Sequence, residues 1–361
     1  MRRWVQRHRL LLSLFIASAP LLGCDSDSFV PPPRAGKKAS TAISPATPQQ
    51  SKEIILILPA EDNPDIQFYD AICRLEAGNL RVIFQSFRPS PGDSKGKQAE
   101  LIKKAVADGA AAIIVVADGS DATVLALADV DQSKTPIILL GRPVEAPKSG
   151  PPYTLVTFPP FGASAKKIVE ALLEDARKLG APLDGTALYL QDTTADETSD
   201  ARSAALTEAL KAAKTPIAAT VPTTESIADS HKPAVQVLKA DPKIAIIVAD
   251  DDSGITIGPS LHKESKSKLY QPLGGFVQPR SGPSAVVTGQ ATAVVERNVE
   301  ALARKAVRVA LERAEGKKVP ERQEVELVFR RAKYNPNPID PSAPVAKSAD
   351  LPSALAPPKL P

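Results

Sequence analysis

One rhythm constrains this chain more than any other feature. Short, near-continuous apolar runs at Glu53–Leu58, Leu80–Phe84, Ala111–Val116 and Pro136–Leu140 alternate with helix-period segments at Gln67–Ala77, Lys97–Ala107 and Ala122–Asp131. An apolar run without polar alternation predicts a strand buried on both faces, as in a parallel sheet covered by helices. The order βαβαβαβ therefore predicts a doubly wound parallel sheet with right-handed crossovers. The same grammar restarts after Pro159-Pro160. Helix Ala163–Leu179, strand Thr186–Gln191, helix Ala201–Lys214, strand Ile217–Val221, helix Ile227–Ala240, strand Ile244–Ala249 and helix Gly254–Lys263 follow, then short strands near Leu273–Val277 and Ala285–Val287. Helix Val299–Glu315 and strand Glu324–Phe329 complete the body. The fold class is α/β, in two successive halves of similar size.

The flanks have a different chemistry. Arg2, Arg3, Arg7 and Arg9 precede the apolar run Leu10 to Leu22, the layout of a secretory leader. The run falls short of the about 20 apolar residues that span a bilayer. It ends in Leu21-Leu22-Gly23-Cys24, which resembles a bacterial lipobox. That resemblance implies cleavage before Cys24 and acylation of its sulfur and new amino group, giving the two chains that stable anchoring needs. The other reading is an ordinary leader that happens to contain a cysteine. Residues 24–51 are rich in Pro, Ser, Thr and Lys and read as a tether, and the Pro-rich stretch 332–361 reads as a disordered tail.

Charge and cysteine content then exclude several classes. The formal net charge is +4, and Arg2, Arg3, Arg7 and Arg9 account for it, so the chain beyond the leader is near neutral. Nucleic-acid binding, which rests on clustered Lys and Arg meeting phosphates, is not expected. With Cys24 assigned to lipid, Cys73 stands alone in the body and no internal disulfide can form. Cys73 is read as a small core residue on a buried helix face, with a reactive thiol as the alternative.

In open parallel sheets ligands bind beyond the carboxyl ends of the strands, here Ala60–Asp65, Ala117–Asp121, Gly141–Val144, Asp192–Asp200, Thr223–Glu225 and Asp250–Ser253. Asn63-Pro64, the run from Lys104 to Val116, the run from Pro136 to Arg142 and Asp250-Asp251, in the order in which they stand, resemble the type I periplasmic-binding family. That family includes the ribose and galactose receptors and the effector domains of lac-repressor-like regulators. The resemblance spans about residues 53–330 and rests on the succession of elements rather than on one motif.

The resemblance implies two lobes joined by a three-strand hinge. Carried over, the crossings fall near Phe158–Pro160, Gln290–Glu296 and Gly316–Lys318. The first lobe is then 52–159 plus 292–316 and the second 160–291 plus 317–331, closing on a ligand by a hinge motion. The implied ligand-binding residues are Asn63, Asp65, Arg142, Arg202, Asp250 and Asp251. The family pattern is incomplete here. Asp65 and Ile66 stand where stacking aromatics are expected, Gly141 precedes Arg142 in place of an aspartate, Asp250 takes an asparagine position, and Val295 stands where a hinge glutamine belongs.

Losing hydroxyl acceptors while keeping two arginines points to an acid-bearing, carbohydrate-like ligand, because guanidinium matches carboxylate or phosphate bidentately. Against it stands the reading of both arginines as solvated charges. Asp250, Asp251 and Asp252 are read as helix amino-terminal capping carboxylates, with a divalent-cation site as the lesser alternative. No cofactor and no metal is expected. An enzyme is not expected either: neither His231 nor His262 stands beside a plausible nucleophile or a second metal ligand at useful spacing, and Leu58-Pro59-Ala60-Glu61 replaces a glycine-rich phosphate loop. The function expected is a lipid-anchored, extracytoplasmic solute-binding protein with a small-molecule ligand and an ABC permease as partner. The alternative is an envelope sensor or interaction module with a degenerate site and no transport role.

Overall fold

A computed structural model of the chain describes residues 52–61, 64–94, 96–144, 153–193, 197–223, 227–265, 270–278 and 281–332. The leader, Cys24, the tether to residue 51, Asn63 and the tail from residue 333 lie outside the described residues.

The first half runs β1 (Glu53–Ile57), α1 (Pro64–Leu80), β2 (Ile83–Phe87), α2 (Lys97–Ala107), β3 (Ala112–Val115), α3 (Asp121–Ala128), β4 (Ile137–Leu140) and β5 (Thr154–Thr157). The second runs α4 (Gly162–Lys178), β6 (Thr186–Asp192), α5 (Glu197–Ala212), β7 (Ile217–Thr223), α6 (Ile227–Ala240), β8 (Ile244–Ala249), α7 (Asp252–Ser265), β9 (Leu273–Val277), α8 (Ser281–Val287) and β10 (Ala293–Glu296). Then come α9 (Val299–Ala314), β11 (Arg322–Glu324) and β12 (Val328–Arg331). Two six-stranded sheets result, ordered β11-β5-β4-β3-β1-β2 and β12-β10-β9-β8-β6-β7. Every pairing is parallel except that of β12, which lies antiparallel against β10 at the sheet edge.

The apolar strands account for this architecture. Along β1, Ile54 and Leu56 face a core shared with α1 and α9, while Ile55 and Ile57 face the opposite core, shared with α2 and α3. All four are buried, and each contributes about 1.5–3 kcal/mol relative to exposure. In the second sheet Leu188 and Leu190 face α6 and α7, whereas Ala187 and Tyr189 face α4 and α5. Cys73 is fully buried against α9, its Sγ 3.7 Å from the Ala303 carbonyl, and burial pushes its thiol pKa up.

Several expected elements are corrected. Thr154–Thr157, not anticipated as a strand, is β5 beside β4. Ala285–Val287 lies in a helix instead of a strand: three apolar residues cannot distinguish the two, and Pro283 suits a first helical turn. Ala293–Glu296, expected as hinge, is the buried strand β10 of the second sheet, so that crossing falls at Arg297-Asn298. The final strand expected at Glu324–Phe329 is two. Its first part pairs with β5 and its second with β10, and the chain crosses between the lobes at residues 325–327 rather than at Gly316–Lys318.

Candidate functional site

The carboxyl edges of the two sheets carry polar and charged side chains on rigid supports. In the first lobe, β1 runs out through Leu58-Pro59-Ala60-Glu61, and Asp65 sits in the first turn of α1, where the helix dipole favours a carboxylate. Its Oδ2 accepts a 2.7 Å hydrogen bond from Arg297, which lies in the crossing between β10 and α9. Beyond β3, Asp118 accepts hydrogen bonds from the Ser120 N–H and hydroxyl at 2.9 and 2.8 Å. Buried Gln98 of α2 holds this turn, donating to the Val116 carbonyl and accepting from the Asp118 N–H, both at 2.9 Å.

Beyond β4, Gly141 has φ +83°, and its carbonyl accepts from the Thr157 hydroxyl at 3.0 Å. An aspartate there would be strained, which explains why glycine stands before Arg142. Arg142 is half-exposed and reaches Glu61 at 3.7 Å. Tyr69 is 5% exposed within the core, and burial raises its pKa.

In the second lobe one buried network dominates. Asp250, 0% exposed at the end of β8, accepts from the Tyr189 hydroxyl at 2.6 Å and from the Asp192 N–H at 2.6 Å. Burial raises the pKa of both Asp250 and Tyr189. Arg202, 5% exposed, places Nη2 3.4 Å from the Asp192 carboxylate, which also accepts from Ser199 at 3.0 Å. The Arg202 Nε has no hydrogen-bond partner among the described residues.

Asp251 accepts from the Gly254 N–H at 2.9 Å and the Thr223 hydroxyl at 3.1 Å, the capping role read from sequence. Asp252 accepts from the Gln278 N–H at 2.9 Å. The three aspartates thus diverge, and among the described residues no group of three His, Cys, Asp or Glu is placed to hold a metal ion. His231 lies 3.9 Å from Glu264, and His262 stacks on Tyr270.

Of the expected ligand residues, Asn63 is outside the described set. Arg202 and Asp250 share one network inside the second lobe, Asp65 and Arg142 stand on the edge of the first, and Asp251 caps α7. The sequence reading missed Arg297, whose only local sign is its place directly before the helix-capping Asn298. It also missed Tyr189 and Asp192 as partners of Asp250, which no local spacing marks.

A family model for the periplasmic binding protein domain matches residues 54–318, so the chain belongs to that family. Membership makes it an extracytoplasmic binding protein rather than an enzyme, in agreement with the resemblance read from sequence. Among similar solved structures is a periplasmic ribose ABC transporter protein from Conexibacter woesei, 18% identical with a TM-score of 0.62, the match covering 78% of this chain and 92% of that one. A solute-binding protein from Actinobacillus succinogenes with bound D-allose is 17% identical at TM-score 0.58, covering 77% and 96%. The myo-inositol binding protein of Caulobacter is 17% identical at 0.56, covering 78% and 94%. At these identities the likeness speaks for the fold.

Proposed function

We propose that this protein is a solute receptor that closes its two lobes on a neutral, hydroxyl-rich carbohydrate and delivers it to an ABC-type permease. The observation that carries the reading is the charge balance of the two edges. Arg142 stands 3.7 Å from Glu61, Arg202 3.4 Å from Asp192 and Arg297 2.7 Å from Asp65, so each cation at the edges has a carboxylate beside it and the edges present no surplus of positive charge. This balance favours a neutral ligand over the acid-bearing one expected from the two arginines alone. A carboxylate has about four lone-pair sites, so Glu61, Asp65, Asp118 and Asp192 keep acceptor capacity beyond these contacts, and carboxylates accept strong hydrogen bonds from sugar hydroxyls. The solved structures with D-allose and myo-inositol, both neutral polyhydroxy compounds, support the same class.

The test is thermal unfolding of the chain from Cys24 onward against neutral sugars, inositols, sugar acids and sugar phosphates. A ligand of the folded state raises the melting temperature by mass action. A shift with neutral sugars is expected, and a shift confined to acids would overturn the reading. The self-satisfied edge also favours a second reading, an envelope sensor whose site has lost its ligand, and silence across the panel would select it.

Anchoring through Cys24 is proposed on the leader and the Leu21-Leu22-Gly23-Cys24 sequence alone. Incorporation of labelled palmitate in a bacterial host, abolished by Cys24→Ala, is the expected outcome, and an unmodified wild-type protein would refute it.

A further inference from the structure

A cavity of about 190 Å³ opens on the first lobe, lined by Gln132, Ser133 and Pro136 from the segment before β4 and by Arg313, Gly316, Lys317 and Lys318 at the end of α9. Because it lies before β4, it is at the amino-terminal edge of the sheet, opposite the edge that carries the candidate sugar site. Three of these residues are cations. Lys317 is held by Glu315 at 2.9 Å, and Glu315 also reaches Lys52, where the chain enters β1, at 3.6 Å.

Arg313 and Lys318 have no carboxylate partner among the described residues, and the Arg313 Nε is shielded from solvent without an acceptor. Cations in a last helical turn complement the helix dipole. Yet the carbonyls here are already served by a Schellman closure: Gly316, φ +75°, donates to Arg313 O at 2.9 Å and Lys317 N–H to Glu312 O at 3.0 Å. Arg313 thus lines, without a carboxylate partner among the described residues, a cavity that has room for several groups the size of a water molecule, each about 30 Å³.

We propose that this cavity binds a phosphate-bearing anion, with Arg313 donating to phosphate oxygens and Lys317 and Lys318 supplying charge. A planar guanidinium matches two phosphate oxygens at once, and lysine adds a point charge beside it. The phosphate is either a free ion or the headgroup of an anionic lipid.

The test uses the chain without its first 23 residues and with Cys24→Ser, so that no acyl chain contributes. Inorganic phosphate is titrated against chloride at matched ionic strength while the melting temperature is followed. Co-sedimentation is measured with phosphatidylcholine vesicles and with vesicles that also contain phosphatidylglycerol. Phosphate is expected to raise the melting temperature, with affinity about tenfold weaker in Arg313→Gln and in the exposed pair Lys317→Glu/Lys318→Glu. Added binding to phosphatidylglycerol vesicles, lost in the same variants, assigns the site to a lipid headgroup, and phosphate alone assigns it to a free anion. No phosphate effect beyond chloride, or one unchanged in both variants, overturns the proposal. Sugar-induced shifts in the same samples report the cleft separately, so either reading can fail without the other.

Discussion

Asp65 and Arg297, 232 residues apart in the chain, meet in a 2.7 Å hydrogen-bonded ion pair. One belongs to the first turn of α1, the other to the crossing that leaves β10 for α9. The pair therefore ties a hinge segment to the edge of the first lobe.

Both side chains remain partly exposed, so the pair contributes little to stability, about 1 kcal/mol or less. Its expected effect is on binding. Arg297→Ala should weaken sugar affinity about tenfold in titration calorimetry with a melting temperature close to wild type. In a double-mutant cycle with Asp65→Ala the two losses should be non-additive. Fully additive losses would show that the pair has no role in the site.

Asp250 is fully buried between two donors, and the amide of Asp250→Asn would turn one donor toward another. Leaving a buried donor unsatisfied costs about 1–3 kcal/mol. Urea denaturation should place Asp250→Asn in that range. Tyr189→Phe should cost about 1 kcal/mol, and the two should couple. A neutral Asp250→Asn would mean that water reaches the network.

Gly275 in β9 is required by close approach. A methyl group there would stand 1.7 Å from the Ala249 carbonyl oxygen of β8, and backbone in a central strand cannot yield. Gly275→Ala is expected to destabilise the second lobe by more than about 3 kcal/mol, or to prevent soluble expression. A melting temperature near wild type would refute the packing described.

Burial lowers the His262 pKa from 6.5 to about 4. Above pH 6.5 the imidazole is neutral in both folded and unfolded chains. Between pH 6.5 and 4 only the unfolded chain takes up the proton, so stability falls as pH falls, by at most about 3 kcal/mol. Unfolding measured across that window should be less pH-dependent in His262→Gln than in wild type. Equal slopes would show that His262 titrates normally.

Much of the fold was legible because its determinants are local. Ile54 to Leu58, Ala112 to Val116 and Ile244 to Ala249 are apolar at every position, and only a strand covered on both faces buries such a run. Where the local sign was weak, the reading slipped. Ala285-Val286-Val287 is too short to separate helix from strand, and Leu327-Val328-Phe329 gave no sign that the chain changes sheets just before β12. The site was less legible. Arg142 follows β4 and Arg202 lies on a helix, as expected, but nothing in their neighbourhood in sequence marked Glu61 and Asp192 as the carboxylates they face.

The sequence by itself determined the alternation of strands and helices, the two halves of the body and the edge on which polar residues gather, because hydrophobic periodicity acts through neighbours in the chain. Only the tertiary structure decided which charges are already neutralised. Asp65 finds Arg297, and Asp250 finds Tyr189, 61 residues away, because hydrogen bonds and ion pairs depend on distance in space, which spacing along the chain does not set.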